Sequence, residues 1–147
     1  MPGLEVVKPD LYVGCSLTHA PERFKEEVEE TKGALELDWN VLKFLGLGPA
    51  EPGQVYEQDI INNVNSCEAF VAIIDEPSWG VGYECAKADA RGIPVMLAHH
   101  VDSKITRLAT DAPLWVRNVV VVQYVDMASD VPELAREHLM PGLQRSA

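Results

Sequence analysis

Basic residues are scarce in this sequence: 12 Lys and Arg stand against 23 Asp and Glu, a formal net charge of −11 at pH 7. A protein that tracks a DNA or RNA backbone needs a basic footprint, so a nucleic-acid polymer is excluded as a partner. A small anionic ligand is not, because a few local donors hold one phosphate whatever the global charge. Cysteine is sparse too. Cys15, Cys67 and Cys85 cannot all pair with one another, and none stands in a CxxC spacing. Free thiols in a reducing cytoplasm are the expectation. No apolar run approaches the ~20 residues that cross a bilayer. The start, Met1-Pro-Gly-Leu-Glu5, has no basic stretch followed by an apolar one. Neither membrane insertion nor a secretory leader is therefore expected. Trp39, Trp79 and Trp115 are too scattered for a stacking platform.

What remains is a chain of 147 residues with 47% apolar content, the size of one α/β domain with a real core. Strand-like and helix-like segments alternate. Strands are predicted at Leu11–Cys15, Trp39–Leu45, 69–75, Ile93–Ala98 and Val119–Gln123. Residues Leu35–Leu45 also allow a continued helix in place of the second strand. Helices are predicted at Pro21–Ala34, Gln54–Cys67, 81–91, Ser103–Thr110 and Val131–Met140, and a Gly/Pro-rich loop at 46–53. The pattern implies a small doubly wound, five-stranded parallel sheet of order 2-1-3-4-5. In that order ligands bind between the C-terminal ends of strands 1 and 3. The loops Gly14-Cys-Ser16 and Asp75 to Glu84 meet there.

The second loop is the most informative stretch of the chain. Asp75-Glu-Pro-Ser-Trp-Gly-Val-Gly-Tyr-Glu84 runs from a buried apolar strand into a helix. A Gly-rich strand-to-helix turn exposes backbone N–H groups and a positive dipole end. A first-turn glutamate held there is expected to stay ionised at neutral pH. An ionised, positioned carboxylate can attack or stabilise an electron-poor carbon. Read more simply, Glu84 only complements the helix dipole. Asp59 lies near the start of the predicted helix 54–67, and Tyr12 lies on strand 1 beside a turn. In isolation Asp59 reads as a solvated helix residue and Tyr12 as core. Ser16 and Ser78 sit in the converging loops, as turn or cap residues or as part of an oxyanion or phosphate cradle. His99-His100 followed by Asp102 suggests a metal, but adjacent strand residues point to opposite faces and no third ligand is evident.

Three segments together resemble the nucleoside 2-deoxyribosyltransferase superfamily: Leu11-Tyr-Val-Gly-Cys-Ser16, Tyr56-Glu-Gln-Asp59 and Pro77-Ser-Trp-Gly-Val-Gly-Tyr-Glu84. The resemblance spans roughly residues 10–125 and is nearest to the 2'-deoxynucleoside 5'-phosphate N-hydrolase branch. It implies cleavage of an N-glycosidic bond through a covalent deoxyribosyl ester, with no cofactor and a homodimeric or higher homo-oligomeric enzyme. Glu84 matches the nucleophile, Asp59 the carboxylate that protonates or positions the leaving base, and Tyr12 the phenol that orients the nucleophile. Gly14, Ser16, Ser78, Gly80 and Gly82 match positions around the sugar and the 5' end.

Some positions depart from that pattern. Ser78 stands where the transferases carry a base-reading aspartate, as in the hydrolases. Thr18 replaces an arginine that the hydrolases place near the 5'-phosphate. Cys85-Ala86 follows the nucleophile where the family often has x-Gly. Arg107, with Ser103 and Lys104 close by, falls near the serine that a neighbouring hydrolase subunit contributes. Hydrolysis of a deoxynucleoside 5'-monophosphate or related nucleoside is the first reading, and base exchange between deoxynucleosides the second. A non-catalytic nucleotide-binding module is a third, from a different class. Binding alone needs no paired carboxylates, which favours the enzymes.

Overall fold

The computed structural model of the protein describes residues 7–44 and 48–144. Its strands are β1 (Asp10–Cys15), β2 (Asn40–Val41), β3 (Ala69–Ile73), β4 (Val95–His100) and β5 (Val119–Tyr124). They form one parallel five-stranded sheet of order β2-β1-β3-β4-β5, as the sequence pattern predicts. Helices α1 (Glu22–Leu35) and α4 (Met127–Gln144) pack together on one face. The other face carries a π-helix (Tyr56–Val64), α2 (Trp79–Ala90) and α3 (Arg107–Trp115).

Side-chain alternation along β1 divides the core in two. Leu11 and Val13 join Val28, Leu35, Met96 and Leu139 under α1 and α4. Tyr12 points the other way and joins Phe70, Ile60, Val64 and Val81. Full burial of one such apolar side chain is worth roughly 1.5–3 kcal/mol. The same alternation delivers Tyr12 to the face that holds Asp59 and Glu84.

Several boundaries differ from the sequence reading. The predicted strand from Trp39 shrinks to two residues, because Trp39 is only 1% exposed and closes the end of α1. Its N–H donates to the Leu35 carbonyl at 2.9 Å. Leu45, together with Gly46 and Leu47 of the predicted loop, lies outside the described residues. Among the described residues 36–44 no helix continues, since α1 stops at Leu35. Strand β4 begins later and runs through His100, where His99 and His100 pair with Gln123 and Tyr124. Helix α3 starts at Arg107 instead of Ser103: Thr106 caps it by accepting from the Leu108 N–H at 3.3 Å. The Ser103 hydroxyl goes to Asp75. Helix α4 starts four residues early, where the Asp126 carboxylate accepts from the Ser129 N–H at 3.1 Å. It then carries Pro132 and Pro141 inside. Gly92 takes φ +74° just past α2, a left-handed turn that glycine adopts without a Cβ penalty.

The predicted helix 54–67 is largely a π-helix. The Asn65 N–H reaches the Ile60 carbonyl, five residues back, at 2.9 Å. The wider turn keeps Ile60 and Val64 buried and leaves Ile61 52% exposed. Arg91 secures the far end by donating to the Val64 and Cys67 carbonyls at 2.7 and 2.8 Å. The Asn63 and Gln58 amides both donate to the Lys43 carbonyl, at 2.7 and 3.2 Å. This widened helix is therefore anchored to both the β2 end and α2.

Candidate active site

Tyr12, Asp59 and Glu84 converge at the C-terminal end of β1. Tyr12 is 2% exposed, stacked on Phe70 with centroids 5.6 Å apart and edge-on to Phe44 at 6.5 Å. Its phenol stands beside the Glu84 carboxylate, close enough for each to shift the other's ionisation. Tyr12 is thus both a core residue and the neighbour of the carboxylate. The Glu84 Oε2 atom is buried and accepts no hydrogen bond among the described residues. A Cβ at Gly14 would lie 3.0 Å from Phe70 Cζ and 3.5 Å from Glu84 Oε2. Any larger residue there would press on the ring that supports Tyr12 and crowd the carboxylate. Asp59, half-buried on the π-helix, lies close enough for its charge to act on both Tyr12 and Glu84.

Glu84 does not sit in a first turn. Ser78 caps α2, its hydroxyl accepting from the Val81 N–H at 3.3 Å, so Trp79, Gly80, Val81 and Gly82 are helical. Glu84 is the sixth residue of the helix, past the range of the terminal dipole. The expectation of a readily ionised Glu84 is corrected accordingly. Burial pushes its carboxyl from 4.5 up to about 7; the Tyr12 phenol pulls it down and the Asp59 charge adds to the rise. Burial, together with the Glu84 carboxylate, holds the Tyr12 phenol well above its ordinary range, so it remains a donor.

The other expected residues are spread around this centre. Ser16 is 6% exposed at the end of β1, while Thr18 is exposed in the following loop. Gly80 and Gly82 lie in α2, beside the cap and not in a free turn. Arg107 opens α3 and is exposed. Cys15, Cys67 and Cys85 are unpaired, and burial pushes their thiols up to about 11, 11 and 12. The His100 ring accepts from the Asp102 N–H at 3.1 Å, and His99 Nδ1 lies 2.9 Å from the His100 carbonyl.

Two cavities stand out, and neither is lined by Tyr12, Asp59 or Glu84. One, of about 490 Å³, lies between α1 and the β2 end, where the Lys32 ammonium sits 3.7 Å from the centre of the Phe44 ring. The other, of about 520 Å³, is a groove between α2 and α3 that includes Ser78, Gly82, Lys104 and Trp115. The sequence reading missed Tyr56 and Tyr83. Both stand inside the motifs it used, but only the packing of the π-helix on α2 shows what they face.

Such an arrangement can place a carboxylate against an electron-poor carbon and a second carboxylate near its leaving group. No protein-family model matches the chain. The motif resemblance is met by two curated proteins, each named "Putative 2'-deoxynucleoside 5'-phosphate N-hydrolase 1". The protein of Methanococcoides burtonii is 40% identical over 55 residues, covering 37% of this chain and 44% of that protein. The protein of Syntrophotalea carbinolica is 31% identical over 84 residues, covering 53% and 56%. The chain thus spans about half the length of the curated relatives it matches. Among solved structures, CMP N-glycosidase from Clostridium botulinum is similar in fold, with TM-score 0.63 and 21% identity. That match covers 85% of this chain and 97% of the other. A conserved protein from Enterococcus faecalis V583 matches at TM-score 0.60 and 19% identity, over 90% and 100% of the two chains.

Proposed function

We propose that this chain hydrolyses the N-glycosidic bond of a 2'-deoxynucleoside 5'-monophosphate or a related nucleoside, through a deoxyribosyl ester on Glu84. The observation that carries the reading is the buried Glu84 Oε2, which accepts no hydrogen bond among the described residues, in a carboxylate with Tyr12 and Asp59 beside it. In the first step a Glu84 oxygen bonds to C1' as the C1'–N bond breaks. Its electron pair leaves with the base, and a proton from Asp59 neutralises it. The transition state is cationic at the sugar, so an ionised carboxylate beneath it both stabilises and captures it. In the second step water attacks C1', Asp59 takes its proton, and the ester bond returns its electrons to Glu84. The products are the free base and the sugar phosphate.

The test is an incubation of deoxynucleosides and their 5'-monophosphates, each with and without a free acceptor base, with products separated by chromatography. Free base with sugar phosphate supports hydrolysis. A new nucleoside formed only when the acceptor is present would replace it with base exchange. No turnover of any substrate would leave a binding module.

In this reading the first N–H groups of α2 and the Ser78 and Ser16 hydroxyls receive the 5'-phosphate. Monophosphates are expected to exceed free nucleosides in kcat/KM. Ser78→Ala is expected to narrow that ratio by roughly 1–3 kcal/mol, the range for a hydrogen bond to a charged group. Loss of the cap costs about 1 kcal/mol of stability, but both substrates share it, so the ratio isolates the phosphate contact. An unchanged ratio removes Ser78 from the cradle.

The proposed assembly is a homodimer closed over the α2–α3 groove. Leu108 and Trp115 line it 80% and 88% exposed, and Leu114 on the same helix is 80% exposed, a large apolar surface for a free monomer. Ser78 and Lys104 line the same groove, so a partner seated on it would approach the 5' end of the substrate. Trp115→Glu is expected to weaken dimerisation by at least about tenfold, as for a central aromatic anchor. Sedimentation velocity reads the change, and a monomeric parent with full activity would overturn the assembly.

A further inference from the structure

The hydroxyls of Tyr56 and Tyr83 lie 2.8 Å apart, a direct hydrogen bond between the π-helix and α2. Tyr83 immediately precedes Glu84, and Tyr56 stands three residues before Asp59. The rings meet at 61° with centroids 6.0 Å apart. On its other side Tyr83 is stacked by Trp79, with centroids 5.2 Å apart and planes 23° from parallel. The Lys87 ammonium sits 5.6 Å from the centre of the same ring. Tyr83 is thereby held against the frame of α2, and its hydroxyl offers a fixed point to the neighbouring helix.

That neighbour needs one. A π-helix is a widened and uncommon register, and Tyr56 is its first residue. Arg91 and Asn63 tie its last turn, and Gln58, its third residue, donates to the Lys43 carbonyl at the β2 end. At its N-terminal end the phenol pair makes the tie to α2, one turn before Asp59. We propose that Tyr56 and Tyr83 are positioning residues, a phenol latch that fixes the separation of Asp59 from Glu84 across the crevice. None of the roles drawn from the motif resemblance falls on either tyrosine. It rests on the reading of Asp59 and Glu84 as the working carboxylates.

The latch is tested without turnover. Glutamate labelled with ¹³C at the side-chain carboxyl lets NMR follow Glu84, its signal assigned by its loss in Glu84→Gln. The groups that face Glu84 are Tyr12 and Cys15 from β1, Asp59 from the π-helix and Cys85 from its own helix. Of these, Asp59 is the one whose distance the latch would set. Tyr56→Phe and Tyr83→Phe keep the rings and remove the bond. Each is expected to lower the Glu84 midpoint by roughly half a unit to one unit, as a like charge moves away. The double variant should equal either single one. In an Asp59→Asn background, Tyr56→Phe should shift the midpoint no further. An unchanged midpoint in the folded single variants overturns the latch. So does a shift that persists without the Asp59 charge, because the phenols would then act through solvation. Since no substrate is present, failure of the hydrolase reading leaves this result standing.

Discussion

Glu84→Gln is expected to lower kcat/KM by roughly 10⁴-fold or more, the order seen when a nucleophile is removed from a working group of residues. Glutamine keeps the shape beside Tyr12, so the sheet and crevice should survive, as judged by far-UV circular dichroism. A folded Glu84→Gln variant with near-parental activity would remove the nucleophile. The parent, quenched with acid during turnover and digested, should show a deoxyribosyl mass adduct on the peptide that contains Glu84.

The same carboxyl sets two pH profiles. Attack needs Glu84 ionised and departure of the base needs the Asp59 proton, so kcat/KM should climb through about 7 as Glu84 ionises and decline at higher pH as that proton is lost. Tyr12→Phe removes a hydroxyl that favours ionisation, so the rising limb should move to higher pH. Stability runs the opposite way. The folded carboxyl is raised above its ordinary value, so the folded state holds the proton more tightly than the unfolded chain. That contribution is complete below about 4.5 and is lost as pH rises through about 7. Glu84→Gln has no proton to lose there. At pH 8 it should be more stable than the parent by about 1–3 kcal/mol, discounted for partial solvent access. At pH 4 the two should be nearly equal. Urea unfolding at both values reads the difference, and a variant less stable than the parent at pH 8 would contradict the burial of this carboxylate.

The sheet and its crevice were legible in the sequence because they rest on local signals. Apolar runs such as Ala69–Ile73 are bounded by turn residues, and their alternation with helical segments allows few topologies. The start of α2 was not legible. Gly80 and Gly82 argued for a turn, but the Ser78 cap and the packing of Val81 under the helix carried the helical state back to Trp79. The ionisation of Glu84 was misjudged for a related reason. Sequence position locates a dipole, whereas burial is the sum of neighbours from β1, the π-helix and α2. The π-register was likewise hidden, since Ile60, Ile61 and Val64 suit an ordinary helical face.

Asp75 shows the limit most plainly. It was read as the first residue of a loop. Its carboxylate accepts from the His100 N–H at 2.6 Å, the Ser103 hydroxyl at 2.5 Å and the Tyr124 hydroxyl at 2.5 Å. One side chain thus joins the ends of β3, β4 and β5 and holds Ser103 out of α3. Its partners lie 25 to 49 residues away, at distances no local pattern encodes. The candidate residues stand out in the sequence because their motifs are short and contiguous; the contacts around them do not, because they are long-range.

Asp59→Asn is the second large effect expected. A purine or pyrimidine leaves poorly as an anion, so a proton delivered as the C1'–N bond breaks lowers the barrier most where that charge is least stable. General acid catalysis of this kind is worth about 10²–10⁴-fold. Asparagine keeps the size of the side chain but cannot donate that proton and regain it. Natural bases should therefore lose about that factor in kcat/KM, while an activated leaving group such as a nitro-substituted base should lose far less. In the parent the rate should depend weakly on leaving-group acidity, and in Asp59→Asn strongly. Asp59 is half-buried and its charge raises the Glu84 carboxyl, so its removal also makes Glu84 easier to ionise. The acid limb of the variant should move to lower pH even as its plateau falls. These two displacements have different causes, proton donation and Coulomb repulsion, and a purely structural role for Asp59 would produce neither selectively. An equal loss across the leaving-group series would assign Asp59 to positioning instead of proton transfer.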